Sequence, residues 1–202
     1  MNYQEFEKLI VNELPNNPVI LLEGKRKVTD DDKPKLILLG SKLAKRFPQC
    51  IFRTGNAPGA DELFSEGVAS VDCKRLQFII PQKSHRKKQQ LNNAGYYSIK
   101  NLSIVREPVI YYQTILADNK YKRMLSDYSN SIKNSYTVKA PYLLRDTVKV
   151  IGCESLGLSK ANFGIFYDDL NKPISGGTGL TMKVCLNNNV PIVDQNIWMD
   201  WL

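Results

Sequence analysis

The sequence predicts an α/β domain around a mainly parallel sheet of about five strands, and three observations predict it. Short apolar runs at Val19–Leu22, Ile51–Thr54, Phe78–Ile80, Phe163–Tyr167 and Val190–Val193 alternate with stretches of helical spacing. That alternation calls for parallel strands joined by helical crossovers. Several of these runs end at once in glycine-rich or acidic turns, as buried strands do. Finally, 202 residues with 43% apolar content are enough for one substantial core, so neither disulfides nor a structural metal is required.

Asn2 and Glu5 form a capping pair that opens a first helix, predicted over 1–15, with Phe6, Leu9, Ile10 and Leu14 at helical spacing and a Pro15 to Pro18 turn to close it. The Val19–Leu22 run then feeds the turn Glu23-Gly24. A second helix is capped near Thr29 to Asp31 and carries Leu36, Leu39, Leu43 and Phe47 on one face. The strand Ile51–Thr54 runs into Gly55-Asn-Ala-Pro-Gly59, after which Ala60 to Val71 reads as a helix with Leu63, Phe64 and Val68 inward. Pro81 stops the third strand. Residues 82–135 are polar, basic and tyrosine-rich without a clean period, and read as an insertion after that strand. Pro141 suits the first turn of a helix running to about Gly152. The strand Phe163–Tyr167 follows, then Ser175-Gly-Gly-Thr-Gly179 as a loop opening a helix to about Asn189, then the last strand. Trp198 and Trp201, three apart on a short terminal helix, read as core packing.

Several classes are excluded. No stretch approaches the roughly 18 apolar residues of a membrane helix, and the start MNYQEFEKLI carries acids where a signal peptide carries bases. A soluble, cytoplasmic protein with no membrane partner is expected. Cys50, Cys73, Cys153 and Cys185 contain no C-x-x-C pair and meet a single histidine, His85, so no metal site is expected and the cysteines read as reduced packing residues. A Cys-His or Ser-His nucleophile would have to use His85, which lies in the KSHRKK run and reads as a solvated surface residue.

The net charge of +8 is unevenly placed: residues 74–123 hold 11 Lys and Arg against Glu107 and Asp118, while the rest of the chain is close to neutral. Lys83, Arg86, Lys87 and Lys88 form one cluster and Lys120, Lys122 and Arg123 another, interleaved with Tyr96, Tyr97, Tyr111, Tyr112 and Tyr121. Bases with aromatics suit the phosphates and bases of single-stranded nucleic acid or a smaller polyphosphate. The same run also reads as a solvated basic face or a self-association surface.

Three loops follow the carboxyl ends of predicted strands: Glu23-Gly24-Lys25-Arg26, Thr54-Gly55-Asn56-Ala57-Pro58-Gly59-Ala60-Asp61, and Asp168 through Gly179. Ligands of open parallel sheets bind at that edge. A glycine loop turning directly into a helix leaves N–H groups aimed at the ligand, and the helix dipole adds its preference for phosphate. Two such loops, at 55–60 and at Gly176, Gly177, Thr178 and Gly179, would make a two-walled anion cradle with Arg26 and Arg145 as guanidinium partners. Each cluster also reads as a tight turn, and the arginines as ordinary ion-pair residues. Neither loop is a P-loop or a G-x-G-x-x-G fingerprint.

Thr54-Gly-Asn-Ala-Pro-Gly-Ala-Asp61 after an apolar strand resembles the signature of the SLOG superfamily, which includes the DprA/Smf DNA-processing proteins and the LOG phosphoribohydrolases. Arg145-Asp146, Ala161 to Asp168 and Gly176-Gly-Thr-Gly179 resemble the second half of its pattern, so the likeness spans roughly 18–81 and 141–194. It implies a Rossmann-like three-layer fold, a homodimer, and a nucleotide or nucleotide-derived ligand with phosphates on the glycine-loop amides and a ribose hydroxyl on Asp61 or Asp168. Asp61 also reads as a helix N-terminal cap.

LOG-type enzymes cleave N-glycosidic bonds and carry glutamates just after the glycine motif, where a carboxylate stabilises the oxocarbenium-like sugar or activates water. Here Met182 and Lys183 hold those positions and Leu180 replaces the motif threonine. The expected function is therefore a noncatalytic nucleotide sensor or sequestering module that needs no cofactor. The alternatives are an N-glycosidase using Asp61, Glu62 or Asp168, and single-strand binding of the DprA kind through the basic insertion.

Overall fold

Strands β1 (Val19–Gly24), β2 (Ile51–Thr54), β3 (Leu76–Ile80), β4 (Gly95–Ser98), β5 (Phe163–Tyr167) and β6 (Ile192–Val193) form one sheet in the order β4-β3-β2-β1-β5-β6, with every pairing parallel. This computed structural model describes residues 1–103 and 105–202. Ile104, inside the predicted insertion, lies outside the described residues. β1 is central, with Val19–Leu22 buried on both faces, which is why its sequence is a continuous apolar run rather than an alternating one.

One face of the sheet packs on α1 (Tyr3–Lys8), α2 (Lys33–Arg46), α3 (Ala60–Asp72) and α8 (Gln195–Trp198). Ile20, Leu22, Phe52 and Ile165 meet Phe6, Leu39, Phe64 and Trp198 there. The other face packs on α4 (Pro108–Ala117), α5 (Lys122–Ser129), α6 (Ala140–Ile151) and α7 (Gly176–Asn187), where Val19, Leu21, Ile79 and Phe166 meet Ile110, Leu125, Val148 and Val184. The result is the expected three-layer α/β arrangement. Trp198 donates its indole N–H to the Phe166 carbonyl at 2.8 Å, and Trp201 stacks on Phe6 with ring centroids 4.7 Å apart.

The structure amends the expected elements in five places. The sheet has six strands, because the insertion 82–135 supplies the edge strand β4 as well as α4 and α5. The first helix opens with the predicted capping box at Asn2 and Glu5, but after Lys8 it widens into a π-helical turn, Leu9–Glu13. Gly176 to Gly179 form the first turn of α7 rather than a loop before it. The last strand shortens to Ile192–Val193, since Pro191 cannot donate to a ladder. His85 is half-buried rather than solvated: its ring lies edge-on to Tyr142 at 5.9 Å, and burial lowers its pKa.

The four cysteines are free, and Cys50, Cys153 and Cys185 are buried. Burial pushes the Cys50 thiol up to about 12, as suits an inert packing residue. Among the described residues no helix is long and apolar enough to cross a membrane.

Candidate functional site

In this sheet the chain steps outward from β1 through β2 and β3 to β4, then returns to the other side of β1 for β5 and β6. The strand order therefore reverses between β1 and β5, where the carboxyl-end loops diverge and leave room for a ligand. A crevice of about 450 Å³ opens there. Glu23 to Lys27 line it from β1, Ala57 and Asp61 from the β2–α3 connection, Arg145, Asp146 and Lys149 from α6, and Asp169 with Ser175 to Thr178 from the β5–α7 connection.

The β2–α3 connection is shaped by Asp61. One carboxylate oxygen accepts the Gly24 N–H at 3.1 Å, and the other accepts the N–H groups of Gly55 at 3.2 Å and Ala57 at 3.3 Å. Asp61 thus ties the end of β1 to the loop after β2, and two of the amides expected in the first wall of an anion cradle, those of Gly55 and Ala57, are already taken. The Ala60 N–H donates to the Lys25 carbonyl at 3.1 Å, and Gly59, at φ +90°, lies so close to Arg26 that a Cβ would overlap its carbonyl. Three amides of this wall, those of Gly55, Ala57 and Ala60, are therefore held by protein acceptors.

The other wall is open. Ser175, the N-cap of α7, makes no capping hydrogen bond and instead donates its hydroxyl to the Lys172 carbonyl at 2.8 Å. The first-turn residues Gly176, Gly177 and Thr178 border the crevice, and first-turn amides have no partner within the helix. Lys25, Arg26 and Lys27 line the opposite side, with Lys25 reaching Asp169 at 3.5 Å across the mouth. Positive helix end and basic loop face the same space, which is an anion-binding arrangement.

Below this space lies a chain of buried charges. Lys149 Nζ is 2.5 Å from Glu23 Oε2 and 2.9 Å from Asp146 Oδ1. Arg145 donates to the same Asp146 oxygen at 3.2 and 2.9 Å and to the Gly55 carbonyl at 3.0 Å. Its guanidinium also lies 5.5 Å from the Tyr142 ring centroid. Burial opposes the ionised form of Asp146, but Lys149 and Arg145 outweigh it and hold the carboxyl below the usual range. For Glu23 burial wins, helped by Asp61 and Asp146 against the pull of Lys149, and its pKa rises to about 7.

Of the residues predicted to bind ligand, Gly24, Arg26, Ala57, Asp61, Arg145, Gly176, Gly177 and Thr178 border the crevice. Thr54 and Ala60 are buried behind it, Gly55 and Gly59 build the turn, and Gly179 packs against the Ile174 backbone. Asn56, at φ 53°, faces a different hollow together with Glu62. Among the acids named as catalytic candidates, Glu62 pairs with Arg86 at 2.8 Å. Asp168 accepts the Ile174 N–H at 2.7 Å, and its backbone is bracketed by Gln195. Met182, at the motif position, is buried in the core, and Lys183 pairs with Asp118 at 3.4 Å.

Sequence reading missed Glu23 and Lys149 as site residues. Each is a charged residue in an otherwise apolar stretch, Leu21-Leu22-Glu23 and Val148-Lys149-Val150, and that mismatch was the available signal.

The basic clusters separate. Lys83, Lys87 and Lys88 are exposed just beyond the carboxyl end of β3, with Arg86 folded back onto the Asn56 carbonyl at 3.3 Å. Lys120, Lys122 and Arg123 sit at the α4–α5 corner, where Lys120 pairs with Asp118 at 2.7 Å. A larger cavity, about 640 Å³, opens beside the crevice and is lined by Tyr111, Tyr128 and Tyr142 with Lys100 and Lys133.

No family model matches the chain, and no curated protein matches its sequence. Among solved structures, DNA processing protein A from Helicobacter pylori, described for its single-stranded DNA binding mode, is similar with a TM-score of 0.48 and 14% identity. The match covers 89% of this chain, which spans about 65% of that protein's length. The all-parallel order β4-β3-β2-β1-β5-β6, with a helical layer on each face and a reversal beside β1, makes this chain a Rossmann-like α/β protein.

Proposed function

We propose that the crevice between β1 and β5 binds the phosphoryl group of a nucleotide or nucleotide-derived ligand, and that the protein holds this ligand without transforming it. The observation that carries the reading is the meeting of the uncapped first turn of α7 with Lys25, Arg26 and Lys27 at the strand-order reversal. A noncatalytic role is supported by the engagement of Asp61, Glu62 and Asp168 with protein partners, and by the absence of an acid at Met182 and Lys183. The test is native mass spectrometry with a thermal-shift screen of nucleoside mono-, di- and triphosphates, followed by chromatography of the ligands. A nucleotide recovered intact is expected, with Arg26→Ala and Lys27→Ala each weakening it about tenfold, the scale of one charge-assisted phosphate contact. Release of free base would overturn the noncatalytic reading, and unchanged affinity in both variants would overturn the site.

A second reading, single-stranded nucleic acid, is favoured by the tyrosine-lined cavity. Tyr142 lines that cavity while its ring faces Arg145 of the crevice, so a stacking surface adjoins the anion site with Lys83, Lys87 and Lys88 on the same sheet edge. In the same screen an oligonucleotide bound this way loses affinity with salt at a slope near −0.7 per phosphate neutralised, and a Lys87→Glu/Lys88→Glu variant flattens the slope. A salt-independent or absent signal rejects it.

A further inference from the structure

The charged chain beneath the crevice is unbalanced. Glu23, Asp61 and Asp146 supply three carboxylates, and Arg145 and Lys149 supply two cations, all of them buried. Arg53, the next buried cation, gives its guanidinium to the Lys149 and Ser159 carbonyls and to Gln77, with no carboxylate among these partners. Two of the three acids are free of buried oxygens without a partner: Asp61, engaged by backbone amides through both oxygens, and Asp146, whose Oδ1 takes both Arg145 and Lys149. Glu23 is not, because its Oε1 is buried without a hydrogen-bond partner. An ionised carboxylate left half-solvated in this way is costly, and a second negative charge arriving in the crevice above it would add to the cost.

We propose that anion binding in the crevice is coupled to protonation of Glu23, so that the occupied site holds the ligand's charge together with a neutral Glu23 carboxyl. This rests on the proposed anion site and adds its regulation by pH. Lys149 is shared between Glu23 and Asp146. When Glu23 gains a proton from solvent, Lys149 answers only to Asp146, and the network changes from three negative groups against two positive to an even balance. The positive field reaching the crevice is then no longer offset from below. The groups facing Glu23 are Lys149, Asp146 and Arg145 on α6, Asp61 on α3, Arg53 on β2 and Cys185 on α7. Burial raises the Glu23 carboxyl itself to about 7. His85, beyond Arg145, is lowered by its burial and by that same arginine.

Sulfate is the suitable probe because its two charges do not change between pH 6 and pH 8.5. Calorimetric titration in buffers of different ionisation enthalpy should show proton uptake on binding to the wild type, with affinity falling about tenfold from pH 7 to pH 8.5. Glu23→Gln, which keeps shape and removes the titration, should bind with no proton uptake and a flat pH profile, while His85→Gln keeps the wild-type slope. Should Glu23→Gln fold poorly, carboxyl carbon NMR of the wild type reads the same quantity, and the Glu23 midpoint should rise when sulfate is added. A flat wild-type profile, a slope that persists in Glu23→Gln, or a midpoint unmoved by sulfate overturns the coupling. Arg26→Ala separates the two failures. If it weakens sulfate binding while the profile is flat, the anion site stands and the coupling falls; if sulfate does not bind, or binds equally to Arg26→Ala and to Lys27→Ala, both fall.

Discussion

Replacing Asp61 by alanine removes the acceptor of three backbone N–H groups and one of the three carboxylates in the buried network. Each orphaned amide near the protein interior costs on the order of 1 kcal/mol or more, so Asp61→Ala should lose about 3 kcal/mol of stability, read from the midpoint of a urea transition. A loss within about 0.5 kcal/mol, typical of a surface change, would show that the amides find other partners. The consequence for reading such sequences is direct. The aspartate was legible as important, since it closes a glycine motif and opens a helix, but its two roles, cap and ligand contact, use the same residue type at the same spacing. The structure shows no side-chain cap, since the N-cap of α3 is Gly59, and Asp61 instead reaches Gly24, thirty-seven residues earlier, which no local pattern reports. Glu23 and Lys149 were harder still, because their partnership spans 126 residues and becomes visible only when β1 and α6 are placed together.

At the level of elements, α2 and α3 lie in close contact because two glycines let their backbones meet. A Cβ at Gly67 would overlap the Ile37 carbonyl, and one at Gly40 would overlap the Phe64 carbonyl. Gly67→Ala must push the helices apart, and a cost of about 1–3 kcal/mol is expected from overpacking, measured by chemical denaturation. An unchanged midpoint would mean that the two helices slide without loss. The helices and strands of this half were readable, since each shows one apolar face or a continuous apolar run. The insertion was not. β4 is a four-residue edge strand whose residues are all half-buried, so Gly95-Tyr-Tyr-Ser98 carries neither alternation nor an apolar run. α4 reads Pro-Val-Ile-Tyr-Tyr-Gln-Thr-Ile-Leu-Ala, apolar around its circumference, because its solvent face carries Val109, Tyr112 and Leu116 and so no polar stripe marks its period.

For the molecule as a whole, alternation in the sequence implied parallel pairing, but nothing in it ordered the strands, and the place of the crevice depends on that order. Charge shows the same division. The excess of bases in 74–123 was plain from composition, whereas its separation into an edge cluster and an α4–α5 corner required the fold. One feature bears on connectivity. Trp201 stacks on Phe6, and Met1 and Asn2 line a shallow hollow with Asp200 and Trp201, so the two ends of the chain adjoin on the face opposite α4–α7. A short glycine-serine linker from Leu202 to Met1, with a new opening at the exposed Asn16–Asn17 turn, would therefore place α1 directly after α8 and leave every strand pairing intact. Such a circular permutant should melt within a few degrees of the parent and keep its far-ultraviolet spectrum; loss of cooperative melting would mean that α1 must precede β1 along the chain and not merely lie beside it.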